Sequence, residues 1–140
     1  MLKKLLLAGV AALLLAATFT AVTAWRGAEA QCLLAEKPAQ VLRHVVLFRF
    51  KEGTSAADIR AVENAFCALP GKIDAIYAFE WGTDVSVENL ADGFTHCFTV
   101  TFKNEAGRSE YLPHPEHKKF GEILGPHLDK VIVVDYWTKP

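Results

Sequence analysis

The feature that most constrains the fold is a strictly alternating stretch at residues 94–102. Phenylalanine, valine and one histidine occupy its even positions, and threonine or cysteine occupies its odd positions. Successive side chains of a β-strand point to opposite faces, so this pattern predicts a strand with one strongly apolar face. Such a strand needs neighbouring strands and a second layer that covers its apolar face.

The remaining elements follow from composition and from start and stop signals. Three further strands are predicted, at His44–Phe50, Ile73–Trp81 and Val131–Trp137. Ser55, with Asp58 three residues later, resembles a capping box, and the helix that follows stops at Pro70-Gly71. Asn104 can cap a second helical region that runs to Leu124. The order β-α-β-β-α-β predicts a ferredoxin-like α+β fold, with the helices on one face of an antiparallel sheet.

The first predicted strand is apolar on both faces. His44, Val46 and Phe48 share one face, and Val45 and Leu47 share the other. Helices cover only one face in this fold, so a single chain would leave the second apolar face in water. We therefore expect a homodimer that is formed through the open face of the sheet.

Two prolines break the second helical region at residues 111–117, Tyr-Leu-Pro-His-Pro-Glu-His. Proline disfavours helix at the preceding residue and suits the first position of a helix, so Leu112 should end one helix and Pro115 should begin another. Tyr111 and His117 then flank a rigid kink and can point into one cavity. A phenol and an imidazole suit proton transfer near neutral pH, so these two are the candidate catalytic residues.

Two other histidines are candidate ligand-binding residues, namely His44 and His96. Each begins a strand on an apolar face, where a histidine can line a pocket or can be a hydrogen-bonded part of the core. The first and third strands of this fold are antiparallel neighbours, so their starts tend to lie at opposite ends. The sequence leaves open whether both imidazoles reach one pocket.

A metal site at His114 and His117 is an alternative, because residues three apart on a helix can share an ion. However, Pro115 interrupts the first turn, and no other carboxylate has a recognisable ligand spacing. His114 is expected to shape the turn instead. No metal and no other cofactor is therefore predicted.

The N-terminal segment has the pattern of a targeting sequence. A short basic stretch, Lys3-Lys4, precedes the apolar run 5–22, and cleavage sites with small residues end at Ala24 and Ala30. Residues 1–30 are predicted to be a secretory signal or a membrane anchor, 31–43 a linker and 44–138 the domain. The protein is then expected to be exported to the periplasm or secreted, with membrane contact only through an uncleaved N-terminal segment.

Charge and cysteine content exclude several classes of function. The net charge is -1, with no block of like charge and no basic stripe, so no nucleic-acid partner is expected. The three cysteines include no CxxC pair, which argues against a disulfide framework or a zinc site. Cys67 and Cys97 are predicted to be small core residues, and Gln31 before Cys32 argues against lipidation.

Several motifs together resemble the stress-responsive A/B barrel family. They are His44 at the start of the first strand, Trp81-Gly82 with Asp84-Val85, Gly93–His96, Tyr111–His117 with Phe120-Gly121, and Asp135-Tyr136. The resemblance covers residues 44–137. It implies a ferredoxin-like sandwich that forms a dimeric α/β barrel.

The resemblance also implies possible chemistry. Enzyme members of the family include plant polyketide cyclases, which close a linear polyketide by aldol condensation without a metal or organic cofactor. Their acid–base pair matches Tyr111 and His117, and their pocket histidines match His44 and His96. Two hypotheses follow: a stress-responsive protein of unassigned activity that binds a small hydrophobic ligand between sheet and helices, or a cofactor-free acid/base enzyme with cyclase-like or lyase-like aldol chemistry.

Overall fold

The computed structural model describes residues 38–139. The predicted signal or anchor at residues 1–30 lies outside the described residues, as does most of the predicted linker. The strands are β1 (Leu42–Phe50), β2 (Ala78–Thr83), β3 (His96–Phe102) and β4 (Leu128–Trp137). The helices are α1 (Ala56–Cys67), α2 (Glu105–Tyr111) and α3 (Pro115–Leu124), with a 3₁₀ turn at Leu69–Gly71. The predicted ferredoxin-like order is confirmed, with its second helical region divided into α2 and α3.

The four strands form one antiparallel sheet in the order β2-β3-β1-β4. β1 is central, and its Val46 lies opposite Phe98 of β3 and Val133 of β4. Near the start of β1, His44 lies opposite Asp135, which is near the end of β4. This register brings a histidine and a carboxylate together from segments that are far apart in the sequence.

Both helical regions begin at the predicted caps. The Asp58 amide donates to the Ser55 hydroxyl (3.1 Å), and the Gly107 amide donates to Asn104 Oδ1 (3.0 Å). α2 ends at Tyr111 and α3 begins at Pro115, so the predicted break is confirmed. Among residues 38–139, no helix is long and apolar enough to cross a membrane.

The core lies between the helices and the inner face of the sheet, and phenylalanine dominates it. Phe66 of α1 stacks on Phe98 at a ring-centroid distance of 4.3 Å and lies 4.5 Å from Phe120 of α3. Phe48 lies 5.2 Å from Phe98 across the sheet. Aromatic packing therefore holds both helices to the strands.

The outer face of the sheet has no layer over it in the single chain. Its β4 side chains remain well exposed, at 42% for Ile132, 47% for Val134 and 47% for Tyr136. Val134 lies opposite Val45, and Ile132 lies opposite Leu47, so the exposed surface is contiguous and apolar. We call this surface the open sheet face.

The predicted second strand was wrong at its start. It was expected from Ile73, but residues 73–77 form a turn in which the Ile73 amide donates to the Leu69 carbonyl and Ile76 donates to Ile73. Ile73 is fully buried in this turn, so its β-branched side chain is explained by its place in the core and does not indicate a strand. The other strands also differ at their starts: β1 begins at Leu42, β3 at His96 and β4 at Leu128.

The prediction that both domain cysteines are core residues was also wrong. Cys67 is exposed, and Cys97 is half-buried on the open sheet face; both are free thiols. Cys67 follows the buried Phe66, and one residue turns a helix by about 100°, which carries the thiol away from the core.

Candidate functional site

A cavity of about 350 Å³ lies between the inner face of the sheet and α3. Its walls are mainly apolar and include Phe48, Phe66, Phe120, Leu124, Val131 and Val133. Four of its lining residues carry titratable groups: His44, Tyr111, His117 and Asp135. An apolar pocket with a few convergent polar groups is the usual form of a small-molecule site.

Tyr111 is the one residue in the lining of this cavity that carries a hydroxyl group. Its side chain is fully buried, and its hydroxyl has no hydrogen-bond partner among the described residues. Burial raises the pKa of this phenol well above its usual value, so the hydroxyl keeps its proton and can act only as a neutral donor or acceptor. A buried polar group without a partner is uncommon in proteins, which marks this hydroxyl as a candidate ligand contact.

His117 lies next to Tyr111, with 4.3 Å between the ring centroids. Its Nδ1 lies 3.0 Å from the Leu112 carbonyl oxygen, which can only accept, so Nδ1 carries the proton. The neutral ring therefore has its lone pair on Nε2. The pKa of His117 is lowered, chiefly by burial and further by the nearby His44 and His114. The hydrogen bond to Leu112 opposes this change and raises the pKa. The neutral form, which a base requires, is favoured.

His44 also lies next to Tyr111, with 5.8 Å between the ring centroids in an edge-on arrangement. Its Nδ1 lies 2.6 Å from Asp135 Oδ1, and Arg108 Nη1 donates to Asp135 Oδ2 at 2.7 Å. The structure thus brings three of the four sequence-predicted site residues together, with both imidazoles next to Tyr111.

His96, the fourth of these residues, does not line this cavity. It lies opposite Phe48, whereas His44 lies opposite Val100, so the two imidazoles occupy opposite ends of the β1–β3 pair. Both His96 nitrogens have protein partners, Glu63 at 3.0 Å and Thr95 at 2.8 Å. These two hydrogen bonds fit the structural alternative for His96. Its side chain also lines the larger groove described below, so its role in ligand binding stays a prediction.

The residues of the alternative metal site point to other partners. His114 Nδ1 accepts from the Glu116 amide (3.2 Å) and so caps α3, in agreement with its predicted role in the turn. Hydrogen bonds from Lys119 and Lys72 lower the pKa of Glu116 to about 2, so its carboxylate is held by these lysines. Within residues 38–139, no three His, Cys, Asp or Glu side chains are grouped as metal ligands.

A larger groove of about 730 Å³ lies on the open sheet face, under the connection between β2 and β3. Leu47, Cys97 and Ile132 form its floor. It shares no lining residue with the smaller cavity, and its floor belongs to the surface that the dimer prediction uses. We therefore assign the candidate site to the smaller cavity, where polar groups converge.

Comparison with known proteins agrees with this architecture. The family model described as "Stress responsive A/B Barrel Domain" matches residues 42–138. The chain belongs to this family. It is 42% identical over 95 residues to the stress-response A/B barrel domain-containing protein HS1 of Arabidopsis thaliana, a match that covers 68% of this chain and 87% of that protein. It is 28% identical over 95 residues to olivetolic acid cyclase of Cannabis sativa, covering 68% and 94%.

Solved structures of similar proteins share the fold. The hydroxynitrile lyase of Passiflora edulis superposes with a TM-score of 0.68 at 29% identity, covering 73% of this chain and 96% of that one. A dimeric ferredoxin-like protein of unknown function from Bacteroides fragilis superposes with a TM-score of 0.57 at 28% identity, covering 69% and 94%. Self-association is therefore found among the structural relatives of this A/B barrel protein.

Sequence reasoning missed Arg108 entirely and gave Asp135 no role beyond its place in a family motif. A usable signal existed, because antiparallel pairing of the first and last strands brings the start of one to the end of the other. His44 and Asp135 occupy those positions. No sequence pattern indicates the contact between Arg108 and Asp135, because it depends on how α2 packs against the edge of the sheet.

Proposed function

We propose that the cavity binds a small, mostly apolar compound through a carbonyl oxygen. The observation that carries this proposal is the buried hydroxyl of Tyr111, which has no partner among the described residues and belongs to a residue that lines a mainly apolar cavity. A carbonyl oxygen would accept its hydrogen bond, and the phenylalanine and valine walls would contact the rest of the ligand. The volume lies at the lower end of the range for small-molecule sites, so the ligand is expected to be small.

Replacing Tyr111 with phenylalanine should weaken binding of an aryl ketone such as acetophenone by about 3–10-fold, the usual worth of one neutral hydrogen bond. The substitution keeps the ring and its packing, so the loss isolates the hydroxyl. Isothermal titration calorimetry or saturation-transfer NMR measures the change.

Tyr77→Phe is the matched control, because Tyr77 is 41% exposed and does not line this cavity. Equal affinity in the wild-type protein and both variants would rule out Tyr111 as the ligand donor. Mass spectrometry of compounds that copurify with the protein would identify the natural ligand.

A second candidate function is cofactor-free acid/base catalysis on the same ligand. The favouring observation is the bond between His117 Nδ1 and the Leu112 carbonyl, which leaves the Nε2 lone pair next to Tyr111. His117 would remove a proton beside the carbonyl, and Tyr111 would donate to the developing oxyanion. Two relatives of this chain are named as enzymes, a cyclase and a lyase, which supports this candidate.

We also propose that two copies associate through the open sheet face. Val134→Lys would place a charge at the centre of that face, opposite Val45, and burying it without a partner costs several kcal/mol. We expect the dissociation constant of the dimer to rise by about 10²–10³-fold, because the association would bury a charge that has no partner. Analytical ultracentrifugation measures this change.

Ala61→Lys, on the exposed outer side of α1, adds the same charge away from that face and should leave the association intact. A wild-type protein that is monomeric at micromolar concentration would contradict the proposal. So would a Val134→Lys variant that stays fully dimeric.

Export remains a proposal from the N-terminal sequence alone. N-terminal sequencing of the native protein tests it, and an intact Met1 on a species outside the membrane and periplasmic fractions would contradict it.

A further inference from the structure

Three side chains from different elements form a continuous polar chain at the cavity wall. His44 of β1 contacts Asp135 of β4 (Nδ1 to Oδ1, 2.6 Å), and Asp135 contacts Arg108 of α2 (Oδ2 to Nη1, 2.7 Å). The carboxylate therefore uses one oxygen for each neighbour. Neither the proposed carbonyl contact nor the proposed base requires this arrangement, so it calls for its own explanation.

The hydrogen bond to Asp135 determines which nitrogen of His44 carries a proton. An ionised carboxylate only accepts hydrogen bonds, so the neutral imidazole must carry its proton on Nδ1. The lone pair is then on Nε2. The His44 side chain is only 8% exposed and lines the cavity beside Tyr111, so this lone pair belongs to a buried, pre-oriented group.

Arg108 explains why the carboxylate stays in place. The Asp135 side chain is 30% exposed at an edge strand and could otherwise turn towards water. Arg108 lies three residues before Tyr111 on α2, so both side chains project from one side of that helix. A single short helix thus supplies the cavity hydroxyl and the cation that holds the carboxylate.

We propose that Arg108 and Asp135 are positioning residues that fix His44 as a hydrogen-bond acceptor. The cavity would then select carbonyl compounds that also carry a hydroxyl group, a selection that rests on the proposed function. The site then offers one donor, Tyr111, and two acceptor nitrogens, on His44 and His117. A plain ketone uses only the donor. A hydroxy ketone satisfies the donor with its carbonyl and an acceptor with its hydroxyl.

The tautomer of His44 tests the positioning role without any ligand. Long-range ¹H–¹⁵N spectra of the full-length protein, with ¹⁵N-labelled histidine and at a pH where the ring is neutral, distinguish Nδ1–H from Nε2–H. His44→Gln assigns the signal. We expect Nδ1–H in the wild-type protein, a mixed population in Arg108→Met, mainly Nε2–H in Asp135→Leu, and recovery in Arg108→Lys.

Arg43→Met is the matched control, since it removes an arginine of β1 that bonds Thr101 instead. An unchanged His44 tautomer in both Arg108→Met and Asp135→Leu would overturn the positioning role, and so would an equal change in Arg43→Met.

Ligand selection is tested with α-hydroxyacetophenone and acetophenone. The wild-type protein should bind the hydroxylated probe about 3–10-fold more tightly, as one additional hydrogen bond allows, and Arg108→Met should lose that preference. Equal affinities in the wild-type protein would overturn the selection. If neither probe binds, the proposed carbonyl site fails, while the tautomer measurement still decides the positioning role.

Discussion

Replacing His117 with alanine should lower the turnover of an accepted carbonyl substrate by about 10²–10⁴-fold, the usual worth of a general acid or base. The half-buried imidazole is 4.3 Å from Tyr111 by ring centroids, and its bond to Leu112 leaves Nε2 as the basic atom. Steady-state measurement of kcat and KM checks the result. The fall should appear in kcat, because a base acts on the reacting proton and contributes little to ground-state binding.

The pH profile provides a second check on His117. A base works in its neutral form, and the pKa of His117 lies below the ordinary 6.5, chiefly through burial. Activity should therefore rise with pH through a value below 6.5 and stay high above it. The same lowered pKa destabilises the folded protein as the pH falls below the pKa that His117 has in the unfolded state. The unfolded state then binds more protons than the folded state does.

His127→Ala is the control for the loss of an imidazole, since His127 does not line the cavity. Wild-type turnover by His117→Ala would place the chemistry elsewhere, and His44 would then be the next residue to replace.

Replacing Phe66 with alanine should lower the free energy of unfolding by about 3–5 kcal/mol, the usual cost of removing a buried aromatic ring. Phe66 is 1% exposed, and its ring contacts Phe98 and Phe120, so one substitution weakens the contact of α1 with both the sheet and α3. Urea denaturation followed by circular dichroism measures the change.

The adjacent substitution, Cys67→Ala, is the control, because Cys67 is exposed and most surface changes alter stability by less than about 0.5 kcal/mol. A loss below about 1 kcal/mol in Phe66→Ala would mean that the surrounding side chains collapse into the space, contrary to the usual cavity cost.

The order of elements could be predicted from the sequence because its signals are local. Each of these signals acts within a few residues: the alternation in β3, the caps at Ser55 and Asn104, and the break at Pro113–Pro115. The start of β2 could not be predicted in this way, because Ile73 is buried in a turn by contacts with the rest of the core.

The candidate site was predictable where its parts are close in the sequence. The kink brings Tyr111 and His117 together over seven residues. His44, Asp135 and Arg108 come from three separate elements, and only strand register and helix packing join them. His96 shares a pattern with His44 but faces Glu63 at the other end of the sheet, a difference that periodicity does not reveal.

The unpartnered hydroxyl of Tyr111 implies a trade-off between folding and recognition. A buried donor from which neither a protein atom nor a water accepts costs about 1–3 kcal/mol of folding stability. Ligand binding would remove that cost, and a compound with an acceptor oxygen would stabilise the protein more than an equally apolar one without it. A search for thermostable variants would select phenylalanine at this position and would lose the ligand contact in the same step.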